Sequence, residues 1–278
     1  MVLHSKLRNW LTIIGVVIGV GSVVAIMSIG AGMEESMKEQ MGDMGGDTIT
    51  ITPGYSKAGG FGKRSGMGGG SSSATEEEVE LTRQDVQTIK GIANIKDILV
   101  QVSGTAEVEY MGESGDSKIN GVDNDVWAEV TAEETAEGRL LDSADKNVIV
   151  IGGKLSDGFF DRVVGINKKL TVEGSSFRVV GVLEDSSTSV YMPIDAAVDI
   201  LDEKENYVYD EISVYVDDES VMNETTQKIE KELMIKRHVD EDDKDFTIIN
   251  SAEMAETRQE MMNTMTTFLT AIAAVSLL

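Results

Sequence analysis

The chain contains no cysteine. Neither a disulfide framework nor a thiol nucleophile is available, so an exported domain must hold itself together by packing. Histidine is almost as scarce: His4 and His238 are the two imidazoles of the whole sequence, which removes most zinc sites and Ser-His-Asp chemistry. No G-x-x-x-x-G-K-[ST] segment occurs, so if ATP is used another polypeptide supplies the site. Positive charge is short as well. The 24 Lys and Arg face 49 Asp and Glu, a formal net charge of −25. Such a surface repels nucleic acid and anionic headgroups, and it suits a salty medium that screens its self-repulsion.

Carboxylates at this density form pairs such as Asp123/Asp125 and Glu133/Glu134, yet no spacing marks a raised-pKa acid opposite an ionised partner, which disfavours a hydrolase. Asp240, Glu241, Asp242, Asp243, Lys244 and Asp245 concentrate hard oxygen ligands but lack the central glycine and terminal glutamate of a calcium hand. A solvated acidic turn is the better reading. No catalytic residue, no cofactor site and no metal site is assigned, so the chain reads as a non-catalytic subunit.

What is present is apolar length. Asn9 to Met33 is a run of 25 residues without a charge, enough at ~1.5 Å per residue to cross the ~30 Å hydrocarbon layer. Met261 to Leu278 is a second uncharged run, of 18 residues, read as the start of another span. Lys6 and Arg8 precede the first run while Glu34, Glu35 and all other acids follow it, which keeps the N-terminus cytoplasmic and places the large domain outside. A cleaved signal peptide would need a shorter apolar core and a small-x-small site, and it would leave the second run unexplained. Trp10 sits where an indole anchors at the headgroup layer, and Gly15-x-x-x-Gly19 offers a close-packing helix face.

Between the runs, local patterning predicts the elements. Thr48 to Thr52 alternates as a strand ended by Pro53-Gly54, and Ser56 to Ser73 is a glycine-rich basic loop with little to bury. Thr82 and Asp85 form a capping box, with Leu81 stapling on Val86, so a helix starts at Thr82 and stops at Gly91. Ile95 to Val102 and Ala106 to Met111 read as antiparallel strands around a Ser103-Gly104 turn, with Gly112 to Ser117 as a second turn. Val148 to Ile151, Lys169 to Val172, Phe177 to Leu183 and Val190 to Met192 are further strands. Ile212, Val214 and Val216 alternate; Val221, Thr225, Ile229 and Leu233 share one helical face; Phe246 and Ile248 form another strand. Ser251 opens a helix with Met254, Met261, Met265 and Leu269 near one stripe, free of Gly and Pro. His238 reads as a surface residue closing a helix, Trp127 as core or interface, and Asn223-Glu224-Thr225 as a glycosylation acceptor disfavoured by its helical position.

The fold class is therefore α+β, and the expected layout is a cytoplasmic N-terminus (1–9), a first transmembrane helix (10–31) and a stalk (32–47). A subdomain of two βαβ units (48–121 and 206–250, with a flexible 56–75 loop), porter-like by the family resemblance that follows, brackets an inserted β-rich subdomain (122–205). A stalk helix (251–263) then enters a second transmembrane helix (264–278).

The segments LRNWLTIIGVVIGVGSVVAIMSIGAGM, INGVDNDVW, EGRLLDSAD, NVIVIGGKLSDGFF, VVGINKKLTVEGSSFRVVGVLED, VYMPIDAA and MMNTMTTFLTAIAAVSLL occur in this order. Together they resemble the macrolide-exporter-type (MacB/FtsX-like) ABC transporter permeases. That resemblance implies a cell-membrane permease, multi-pass with four spans at full length, that works as a homodimer or beside a related permease with a separate cytoplasmic ABC ATPase. It also implies mechanotransmission through two stalks, matched here by Met33 and Met37 on one side and Met254, Met261 and Met265 on the other. Membrane lipid and an extracytoplasmic adaptor or substrate protein are the remaining implied partners; nucleic acid is not. The third and fourth spans fall outside these residues. The alternative from another class is a membrane-anchored extracytoplasmic sensor or regulatory domain that controls a partner without transport.

Overall fold

The computed structural model describes residues 47–54, 79–201 and 207–277, together with Trp10, Gly21, Ser28 and Gly32, each of which is helical. The first apolar run, the first stalk and the 56–75 loop therefore lie, apart from those four positions, outside the described residues. Asp47–Ser251 is one compact unit, and the helix beyond Ser251 belongs to another.

Within Asp47–Ser251 the backbone follows the period-two patterns closely. Strand β1 (Thr48–Pro53) buries Ile49 and Ile51 completely, each worth about 1.5–3 kcal/mol relative to exposure. The short β2 (Leu81–Thr82) leads into helix α1 (Arg83–Lys90), which starts on the expected capping box: the Asp85 carboxylate accepts from Thr82 N at 2.8 Å and from its hydroxyl at 3.0 Å. Beyond the short helices α2 (Asn124–Val130), α3 (Gly153–Ser156) and α4 (Ile194–Ile200) and strand β10 (Val208–Tyr209), which pairs with β2, β11 (Glu211–Val216), helix α5 (Met222–Arg237) and β12 (Phe246–Asn250) repeat the strand-helix-strand order. Helix α5 turns Met222, Thr225, Ile229 and Leu233 inward; the last three are the face expected from their spacing, while Met222 takes the place expected of Val221, which ends the preceding 3-10 turn. His238 terminates it in the left-handed conformation, φ 57°.

Strand β3 (Ile95–Tyr110) is a correction. It runs unbroken for 16 residues through Ser103-Gly104, where the sequence suggested a turn. Gly104 instead faces Leu201, whose Cδ2 would lie 2.7 Å from a Cβ there and would have to shift to admit one. The real turn is Met111-Gly112, with φ 54° and 90°, after which β4 (Glu113–Val122) pairs back from Tyr110↔Glu113 to Gln101↔Val122. Two consecutive positive φ values are the geometry a two-residue hairpin loop needs. The expected turn at Gly112 to Ser117 is thus mostly strand, and Gly115 makes room for the Phe159 ring, 2.9 Å from its would-be Cβ.

The spatial order β12-β1-β11-β3 places β1 between the parallel strands β11 and β12, and β11 between the parallel strands β1 and β3. This is a βαββαβ arrangement with split βαβ units, and α1 packs against α5. The same sheet continues past β4 through β9 (Val190–Pro193), β6 (Val148–Ile151) and β8 (Ser175–Leu183) to β5 (Thr135–Gly138), while β7 (Lys169–Val172) pairs with β3 and β8. One core cluster lies under this second half and includes Val108, Ile119, Ile149, Leu155, Leu170 and Val190. A smaller one gathers Leu99, Val122, Leu141, Val148 and Leu183 around Trp127, which is 3% exposed and stacks on Tyr191 at 5.1 Å between centroids.

After Asn250 the chain passes without a loop into helix α6 (Ser251–Leu277). Among the described residues no helix is long and apolar enough to cross a membrane.

Candidate force-coupling junction

In β1 and β12 the chain enters and leaves its folded body side by side. They are antiparallel neighbours with Ile49 opposite Asn250, so the first residue of β1 and the first of α6 meet at one edge of the sheet. Ser251 Oγ donates to Thr48 O at 2.7 Å and accepts from Thr48 N at 3.2 Å. One hydroxyl thereby replaces the ladder partner that Thr48 would otherwise lose where β12 becomes helix. Asp47 is held in turn, its carbonyl accepting from Val216 N at 3.1 Å.

Asn250, 4% exposed, ties this edge to α5 by donating through Nδ2 to Asn223 Oδ1 at 2.8 Å and to Thr226 Oγ1 at 3.3 Å. Asn223 is itself exposed and accepts through Oδ1, but the hydroxyl of Thr225, the third residue of the formal glycosylation acceptor, is fully buried within α5. Thr48 Oγ1 and Thr225 Oγ1 are buried without a hydrogen-bond partner, which makes the junction more costly per residue than an apolar contact would be.

The far end of α5 is pinned to the far end of β12. Arg237 donates from Nε to Asp245 Oδ1 at 3.0 Å, from Nη2 to Asp245 Oδ2 at 2.7 Å, from Nη1 to Asp85 Oδ2 at 2.9 Å and to Glu80 O at 3.1 Å. Burial of the guanidinium works against its charge, but the hydrogen bonds and fields of Asp245 and Asp85 outweigh it and raise its pKa. Lys244 reinforces the same corner through an ion pair with Glu230 and by lying 5.1 Å from the centroid of the buried Phe246 ring. Helix α5 is therefore a strut latched to β12 at both ends. Ser251 is thus bonded directly to β1, and its neighbour Asn250 in β12 to α5.

The 240–245 acidic segment folds on itself. Asp240 Oδ1 accepts from Asp242 N at 3.0 Å and Asp243 N at 3.2 Å, and Asp245 belongs to Arg237. Among the described residues no group of three or more His, Cys, Asp or Glu could hold a metal ion. Trp10 is 65% exposed on its helix; Gly15, Gly19, Met33 and Met37 lie outside the described residues. On α6, Met254 is half-buried, while Met261 and Met265 are 72% and 44% exposed. Sequence reasoning missed Asn250 and Arg237 as fasteners. The one local hint was a polar Asn-Ser pair between a strand pattern and a helix pattern.

The MacB-like periplasmic core domain family model matches residues 10–232. An ABC transporter permease of Methanocaldococcus jannaschii is 27% identical over 288 residues, covering 99% of this chain and 65% of that protein. The macrolide export ATP-binding/permease protein MacB of Bdellovibrio bacteriovorus is 26% identical, covering 98% of this chain and 42% of that protein. The chain thus spans between two-fifths and two-thirds of the length of these relatives. In fold it is similar to the periplasmic region of MacB from Actinobacillus actinomycetemcomitans, with TM-score 0.61 at 20% identity, covering 77% of this chain and 92% of that one. It is likewise similar to the extracellular domain of the ABC-type transporter YknZ from Gram-positive bacteria, with TM-score 0.56 at 18% identity, covering 73% of this chain and all of that one.

Proposed function

Because the chain belongs to the MacB-like periplasmic core domain family, we propose that it is the extracytoplasmic, force-receiving part of an ABC transporter permease. In this reading a separate cytoplasmic ATPase closes on ATP, the membrane segments move, and α6 carries the motion to the folded body, which acts on a substrate or partner outside the membrane. The chain itself is non-catalytic. Residues 10–31 and the apolar end of α6 are the membrane segments, and two permease copies form the working unit. The porter-like part comprises 48–121 and 206–250 and the β-rich part 122–205, and the β3–β4 hairpin of the first pairs with β7 and β9 of the second.

The observation that carries this reading is the paired junction of Thr48 and Ser251. A helix that joins its strand without a loop passes axial displacement on, where a flexible linker would absorb it. The latches at Asn250 and Arg237 then spread the load into α5. The test is to express the complete permease with candidate ATPase subunits, recover the complex through the permease and measure ATP hydrolysis. Because the chain lacks cysteine, a single K231C probe also reports sidedness against no thiol background from this chain. Co-purification of an ATPase, together with labelling of K231C by a membrane-impermeant maleimide in intact cells, is expected. Failure to recover any ATPase removes the permease reading, and labelling only after lysis removes the extracytoplasmic one.

A further inference from the structure

Sulfur is plentiful in this chain despite the absence of thiol: it has 15 Met and no Cys. Four of them, Met254, Met261, Met262 and Met265, fall in the first fifteen residues of α6. Met261 and Met265 are one turn apart and Met262 and Met265 are three apart, so the three thioethers border one patch of helix surface, with Cβ spacings of about 5–6 Å that long flexible side chains readily close. Met261 is 72% exposed and Met265 44%. Among the described residues neither is packed away in the way that would explain a methionine as core filler.

We propose that Met261, Met262 and Met265 form a binding site for a soft monovalent metal ion, Cu(I) or Ag(I), held by three thioether sulfurs. Thioethers are soft, neutral ligands that select Cu(I) over hard cations and over divalent ions that prefer imidazole or carboxylate. They also survive in an oxidising space where thiols would pair into disulfides. Glu260 and Glu256, exposed on the same helix, raise the local cation concentration without supplying the ligands.

The test is anaerobic calorimetric titration of the full chain in detergent with Ag(I), beside the triple variant M261L/M262L/M265L. Leucine keeps the volume and the helix, and circular dichroism checks that the fold is retained. X-ray absorption of the Cu(I) form identifies the scatterers. The expected result is one ion per chain, sulfur-only coordination, and affinity reduced at least about tenfold in the variant. Equal binding by the folded variant, or coordination dominated by nitrogen and oxygen, overturns the site. This inference stands apart from the permease reading: its failure is a binding result on the isolated chain, whereas the permease reading fails by absence of an ATPase partner.

Discussion

Replacing Arg237 by Met should severely damage the split-βαβ half of the sheet. The side chains involved are nearly out of solvent: Asp85 is 3% exposed, Arg237 14% and Asp245 23%. The pair with Asp85 therefore belongs with buried ion pairs, where removing one partner strands a charge, and not with surface bridges worth about 0–1 kcal/mol. R237M leaves the Asp85 carboxylate with its two Thr82 donors and no cation, and frees Asp245 at the start of β12. The expected loss is about 3–4 kcal/mol, a large share of the roughly 5–15 kcal/mol that holds a typical domain. Urea unfolding followed by circular dichroism measures it. The double variant R237M/D85N should lose less than R237M alone, since the amide keeps an acceptor for Thr82 without the stranded charge. A loss under about 1 kcal/mol for R237M, or strictly additive losses in the double variant, refutes the stranded-charge reasoning.

Three other outcomes follow from the same structure. With a net charge of −25, the melting temperature should climb as salt shortens the screening length from about 10 Å at 0.1 M to about 3 Å at 1 M, and a flat or falling profile would contradict self-repulsion as a cost. Burial pushes the phenols of Tyr191 and Tyr215 up to about 12; their stabilising share is intact below the free-tyrosine value of about 10 and is lost as pH rises from there through about 12, at most roughly 3 kcal/mol each. Y191F should shrink that alkaline loss in denaturant titrations at pH 9 and 11. G104A should cost about 1–3 kcal/mol by pressing on Leu201, and L201A in the same chain should recover part of it; purely additive losses would show that the contact is not the cause.

Much of the fold was legible where it is local. The Thr82/Asp85 box, the alternation of Ile49 and Ile51, and the Thr225, Ile229, Leu233 face declared their elements because each signal lies within a few residues. The β3–β4 hairpin was misplaced because Gly104 and Gly115 face Leu201 and Phe159 and do not turn the chain. Strand β3 is also far longer than the usual five or six residues. The fasteners of the junction were beyond reach for the same physical reason. Asp85 and Arg237 stand 152 residues apart and Thr48 and Ser251 203 apart, so no window of sequence contains both partners. Asp245 as the partner of Arg237 was likewise out of reach of any local pattern.

The most direct measurement is a spin-label distance between copies of the complete permease labelled at K231C on α5, compared without nucleotide and with ATP plus vanadate, in the parent and in N250A/S251A. Force passing through the junction predicts a nucleotide-dependent change in the parent that is lost in the variant while ATP hydrolysis continues. An identical change in both proteins would contradict it.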